Sequence, residues 1–148
     1  MKIQLDGFKE LDAALSQLKR STAKGVLRRV GRAALEPVRA RAAALAPEDT
    51  GLLEDRVIIS SRQQAAKARR RKPEGPNEVQ LYMGPARGAA AIRGQMQEFG
   101  TANQPPQPFM RPAWDGGKMD VLKAIGRDLG SEIEKTAKRV AKRAAKGK

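Results

Sequence analysis

The chain has 148 residues, with 30 Lys or Arg against 16 Asp or Glu, a net charge of +14, no Cys and no His. That length suits one domain with appended segments. The missing Cys excludes disulfides and thiolate zinc sites, and the missing His removes the commonest general base near neutral pH, so neither a catalytic residue, a metal site nor a cofactor is expected.

The charge excess points to polyanionic partners, nucleic acid first and acidic protein surfaces next. No apolar run is long enough to span a bilayer, and the first residues lack the apolar core of a secretory signal, so no membrane partner is expected.

In chain order, Met1–Leu5 alternates as a short strand and Asp6 can cap the helix after it. Phe8, Leu11, Leu15 and Leu18 recur at helical steps, which predicts a helix over 7–20. Ser21 and Thr22 offer a second cap. A longer helix is predicted over 23–45, with Leu27, Val30, Ala34, Val38, Ala42 and Leu45 on one face and Pro37 as a kink. Pro47, Asp49, Thr50 and Gly51 then form a structural turn.

Residues 56–61 and 78–83 read as two strands that pair antiparallel across the intervening arm. That arm, 62–76, carries Arg69, Arg70, Arg71 and Lys72, whose like charges favour an extended tip. Residues 86–94 read as a glycine-punctuated loop, and 95–99 as either strand or helix turn. A last helix is predicted over 118–146, with Leu122, Ile125, Leu129, Ile133, Ala137, Val140 and Ala144 in one stripe. Gly126 and Gly130 weaken it, and no acid comes after Glu134. The fold class is therefore α+β: a small antiparallel sheet packed against N-terminal helices, with a long C-terminal helix.

The segment between these elements is the most distinctive. Glu98-Phe99-Gly100-Thr101 leads through Pro105 and Pro106 to Pro108-Phe109-Met110-Arg111-Pro112-Ala113, one residue before the single Trp, Trp114. Prolines fix φ and restrict their predecessors, so this is a stiff strap in a chain with very few aromatics. Two readings stand: its aromatics plug the core, or they contact a neighbouring subunit. Asp115-Gly116-Gly117 permits a turn after it, unless Pro112 already opens the last helix.

Elsewhere, Glu48, Asp49, Glu54 and Asp55 read as turn and cap residues beside many arginines rather than as an acid–base pair. Asp49-Thr50-Gly51 matches the aspartic-protease triplet in letters alone. The basic arm and the basic tail, with Lys138, Arg139, Lys142 and Arg143, can either stay solvated or neutralise phosphates without reading bases.

The order of motifs resembles the head–tail joining and tail-completion family of tailed bacteriophages with long non-contractile tails. This is the gene-product-ten-like family of HK-type lambdoid phages, to which lambda's minor tail protein Z is similar. The matching residues are Gly7, Leu11, Leu15 and Leu18; Ala46, Pro47, Thr50, Gly51 and Leu53; Val79 to Gly84; and the two strap motifs at 98–101 and 108–113. Members often carry a His shortly before Glu-Phe-Gly-Thr, which this chain lacks.

The resemblance covers about 5–135 and implies a non-enzymatic morphogenesis subunit, with a joining domain over 1–134 and a basic helical tail over 135–148. It implies a homo-oligomeric ring, hexamer or dodecamer, at the neck or head-proximal tail end. Neighbouring neck, connector and tail-tube proteins would be its partners. The location would be the virion, of a phage or a prophage, and the host cytoplasm before assembly. On this reading Glu98, Phe99, Gly100, Thr101, Pro108, Phe109, Met110, Arg111, Pro112 and Trp114 form the inter-subunit contact. The arm at 62–76 and the tail beyond 135 are more basic than the family pattern; from their charge, and not from the resemblance, Arg69, Arg70, Arg71, Lys72, Lys138, Arg139, Lys142 and Arg143 would face passing DNA. The alternative is a small non-specific nucleic-acid-binding protein acting through arm and tail.

Overall fold

The computed structural model describes residues 8–47, 53–61, 75 and 77–146. The predicted strand at 1–5, the Asp6 cap, Asp49–Gly51 of the turn and most of the basic arm lie outside the described residues. Two long helices make the frame: α2 (Arg20–Leu45) and α4 (Met110–Ala145), preceded by the short α1 (Phe8–Ser16). A 3-10 turn at Glu54–Arg56 leads into β1 (Val57–Ser60), which pairs antiparallel with β2 (Tyr82–Pro85). Helix α3 (Ala89–Phe99) then carries the chain to α4. The architecture is α+β, mostly helical, with a two-stranded sheet and a long C-terminal helix.

Helices α2 and α4 run antiparallel. Gly117, early in α4, lies against Val38, late in α2, while Arg29, early in α2, reaches Glu132 and Thr136 late in α4. The buried face of α2 is Ala23, Val26, Val30, Ala34, Leu35, Val38 and Ala42; it shares Val30, Ala34, Val38 and Ala42 with the stripe read from the sequence, whereas Leu27 is half-buried and Leu45, at the helix end, is exposed. Its helix passes through Pro37, which sits on the exposed side. It also starts before Ser21 and Thr22: Lys19 is the cap residue, and its carbonyl accepts from Thr22 and Ala23 N–H, with no side-chain cap.

The apolar interior forms two clusters. One gathers Leu15, Ala23, Val26, Val30, Leu129 and Ile133 around α1. The other gathers Leu35, Val38, Leu53, Val57, Ala113 and Val121 around Phe109. In the sheet, Val57 faces Pro85 and Ile59 faces Met83, so alternate residues share one side, and Val57, Ile59 and Met83 all pack on this second cluster. Leu81 joins them, so Leu81 and Met83 of the predicted alternation share the inner side, but the paired strand sits at 82–85 rather than 78–83 and Val79 precedes it. Residues 86–94 do not form a loop throughout: α3 starts at Ala89, entered through Gly88 at φ 94°. Its Gly94 is buried against Pro85 and Leu53, a close approach that an added Cβ would block.

Two α4 glycines differ in a way that makes a test. A Cβ on Gly117 would lie 2.6 Å from Val38 Cγ2, inside the helix pair, whereas one on Gly130 would meet Leu11 at an ordinary 3.6 Å. Alanine gains up to about 1 kcal/mol of helix propensity at either site, but overpacking a buried β-branched neighbour costs about 1–3 kcal/mol. Gly130→Ala is therefore expected to raise the urea midpoint and Gly117→Ala to lower it. Equal shifts for both would contradict the close approach of α2 and α4.

Candidate functional site

The strap is built on one carboxylate. A helix starts with four backbone N–H groups that lack helical partners. In α4 these belong to Phe109, Met110, Arg111 and Pro112. Glu98 Oε2 accepts from Phe109 N (2.8 Å) and Met110 N (2.9 Å), Oε1 accepts from Arg111 N (3.1 Å), and Pro112 has no N–H to satisfy. The next amide, Ala113 N, donates to Phe109 O. All four positions are thus accounted for, with negative charge at the positive end of the helix dipole.

The same pair is closed from the other side. Arg111 Nε donates to Glu98 Oε1 (2.8 Å), and Arg111 Nη2 donates to the Glu98 carbonyl (2.8 Å). The guanidinium also sits over the Phe99 ring, 5.1 Å from its centroid. Burial alone would push the Glu98 carboxyl up, but the hydrogen bond from Arg111 and the three backbone donors hold it below the usual carboxylate range. Gly100 ends α3 at φ 76°, where an added Cβ would come within 2.9 Å of the Gln104 carbonyl. Thr101 bridges Gln104, and Gln107 N donates to Gln97 O, so the strap is clasped at its base.

This frame sorts the strap residues into two sets. Phe109 is 0 % exposed and Glu98 5 %, so neither presents its side chain to a second subunit. That corrects the expectation for both. Phe109 plugs its own core, and the Glu98–Arg111 pair lies within one chain because the carboxylate is needed at the α4 N-terminus. Facing outward are Phe99 (66 % exposed), Trp114 (44 %), Thr101, Pro108, Pro112 and the Arg111 side chain, while Met110 is half-buried. At 115–117 the second alternative holds in place of the turn: the last helix is already open at Pro112, two residues after its start at Met110. Residues 115–117 are helical, and Gly117 is buried where α2 crosses closest.

The sequence reading missed two surfaces. Ile92 (59 % exposed) and Met96 (46 %) join Phe99 in an outward stripe along α3, visible in the spacing i, i+4, i+7 once 89–99 is known to be helical. Between α2, α4 and the segment leading into β2 lies an apolar groove of about 560 Å3, lined among others by Leu27, Leu35, Leu81, Met83, Ile125 and Trp114. Arg111 and Asp115 are its charged lining residues.

No protein-family model, no curated protein and no solved structure matches this chain. The reading of function therefore rests on the residues themselves.

Of the other candidates, Pro47 is half-buried at the end of α2, and Arg69, Arg70, Arg71 and Lys72 lie outside the described residues. Lys138, Arg139, Lys142 and Arg143 are exposed on the last turns of α4. The predicted apolar stripe does not continue there. After Thr136 every described residue of the helix is exposed, including Ala137, Val140 and Ala144, because α4 outruns the core beneath it. Among the described residues no three acidic side chains gather as a metal set, and no helix is long and apolar enough to cross a membrane.

Proposed function

We propose that the chain is a structural, non-enzymatic subunit of a tailed phage or prophage. Copies assemble into a hexameric or dodecameric ring at the neck or head-proximal tail end, where it completes the tail and joins it to the head and its connector. The observation that carries this reading is the outward aromatic edge, Phe99 and Trp114, on a strap locked by Glu98. A rigid apolar edge on a chain of net charge +14 suits repeated contact with a like neighbour better than solvation. The motif order at 98–101 and 108–113, which resembles the tail-completion family, supports the same conclusion. Mass photometry over a concentration series tests it: closed oligomers are expected, and a protein that stays monomeric throughout would overturn it.

A second reading, non-specific nucleic-acid binding, is favoured by the projecting end of α4. There Lys135, Lys138, Arg139, Lys142, Arg143 and Lys146 are all exposed on a helical arm whose described residues past Thr136 are all exposed. In the ring these charges would tolerate passing DNA by neutralising its phosphates. Replacing Lys138, Arg139, Lys142 and Arg143 together by Ala is expected to flatten the salt dependence of duplex binding. The slope of log K against log salt should fall by about 0.9 for each phosphate that is no longer neutralised. Fluorescence anisotropy reads this directly, and an unchanged slope, or no binding at low salt, removes the role.

A further inference from the structure

We infer that the α3 stripe, Ile92, Met96 and Phe99, docks into the apolar groove between α2 and α4 of a second copy of this chain. The inference rests on the ring reading and names its contact.

The two surfaces are complementary in kind. An amphipathic helix that presents residues at i, i+4 and i+7 is the shape that apolar grooves accept. Here such a stripe faces solvent on α3, and a groove of about 560 Å3 stands open beside Trp114. Charge favours a like copy over other occupants. The stripe positions carry no charge, and the groove lining holds one cation and one anion, Arg111 and Asp115, which offset each other. A strongly acidic or basic partner gains nothing there, whereas two copies of a +14 chain repel least through faces this neutral.

The stripe runs straight into the consecutively exposed residues 101–108, so the outward face does not stop at Phe99. The cap fixes the geometry: Arg111 holds Phe99 and also lines the groove, so stripe and groove keep a set orientation in every copy. Each chain gives one stripe and receives one, which is the arrangement that propagates to a ring.

The test uses two variants of the full chain, a stripe variant (Ile92→Glu with Met96→Glu) and a groove variant (Leu27→Glu with Trp114→Glu). Each alone is expected to raise the assembly midpoint by more than about thirtyfold, the loss typical of a central contact. Mixed, they retain one intact stripe and one intact groove, so heterodimers should appear by mass photometry. Because the chain has no Cys, Met96→Cys and Trp114→Cys supply a check that does not depend on disruption. Mixed under oxidation, they should form a disulfide between two chains. Wild-type protein that never assembles would overturn the ring reading itself. Wild-type assembly that both disruptive variants retain, with no cross-link, would overturn the docking alone. Variants that lower only the melting temperature would do the same, and would assign the groove to the chain's own residues.

Discussion

Replacing Phe109 with Ala is expected to cost about 3–5 kcal/mol of folding stability, the usual range for emptying a fully buried aromatic site. The ring is 0 % exposed and centres the cluster of Leu35, Val38, Val57, Ala113 and Val121, drawn from three different elements. A domain of this size has roughly 5–15 kcal/mol in total, so the variant should sit near its unfolding threshold. Phe99→Ala is the paired control. Its ring is outside, and it gives up an arginine contact worth about 0.5–1 kcal/mol. Urea denaturation followed by circular dichroism separates the two. A Phe109→Ala protein within about 1 kcal/mol of wild type would mean that the ring is not the plug of the core.

Glu98→Ala is expected to cost about 3 kcal/mol, because a nearly buried carboxylate accepting from Phe109 N, Met110 N, Arg111 N and Arg111 Nε leaves those donors without a partner. Glu98→Gln should cost nearly as much. One carboxylate oxygen becomes an NH2 group, which cannot accept from the amides it faces.

The pH dependence has a fixed sign. With the folded-state pKa held below the unfolded one, the group's stabilisation is fully present above the ordinary carboxylate range and is lost as pH falls through the folded value. The stability gap between wild type and Glu98→Gln should therefore close on acidification from neutral pH. Denaturant midpoints over an acid series check this, and a gap that widened towards acid would contradict the cap.

Long-range periodicity was legible where packing obeys it. The stripe of α2 needs only helical spacing, and so do Leu129 and Ile133 of α4. The start of α4 was legible only as one of two readings, since Pro112 suits the first turn of a helix while the pair Gly116-Gly117 looks like a turn to any local reading. What makes them helical is non-local: a carboxylate a dozen positions upstream takes the first amides, proline falls where no donor is needed, and Gly117 admits Val38. The fate of the two strap aromatics was hidden for the same reason. Phe99 and Phe109 flank the same strap, and their spacing does not say which is outward; the grip of Glu98 on the first amides of α4 goes with a buried Phe109 and an exposed Phe99. Helix α3 was masked by Gly88 just before it and by Gly94 within it, the second of which serves the contact with Pro85. The end of α4 shows the opposite limit, since a periodic stripe continued past Thr136, the last buried residue among those described in the helix.

The clasp at the base of the strap also says where the fold of a single chain tolerates change. Gln97, Glu98, Gly100, Gln107 and the first turn of α4 hold one another, while Ala102 and Asn103 stand at the far tip, outside that mutual grip. A span anchored so firmly at its foot leaves its summit open to drift, insertion or a grafted label, with the scaffold below undisturbed.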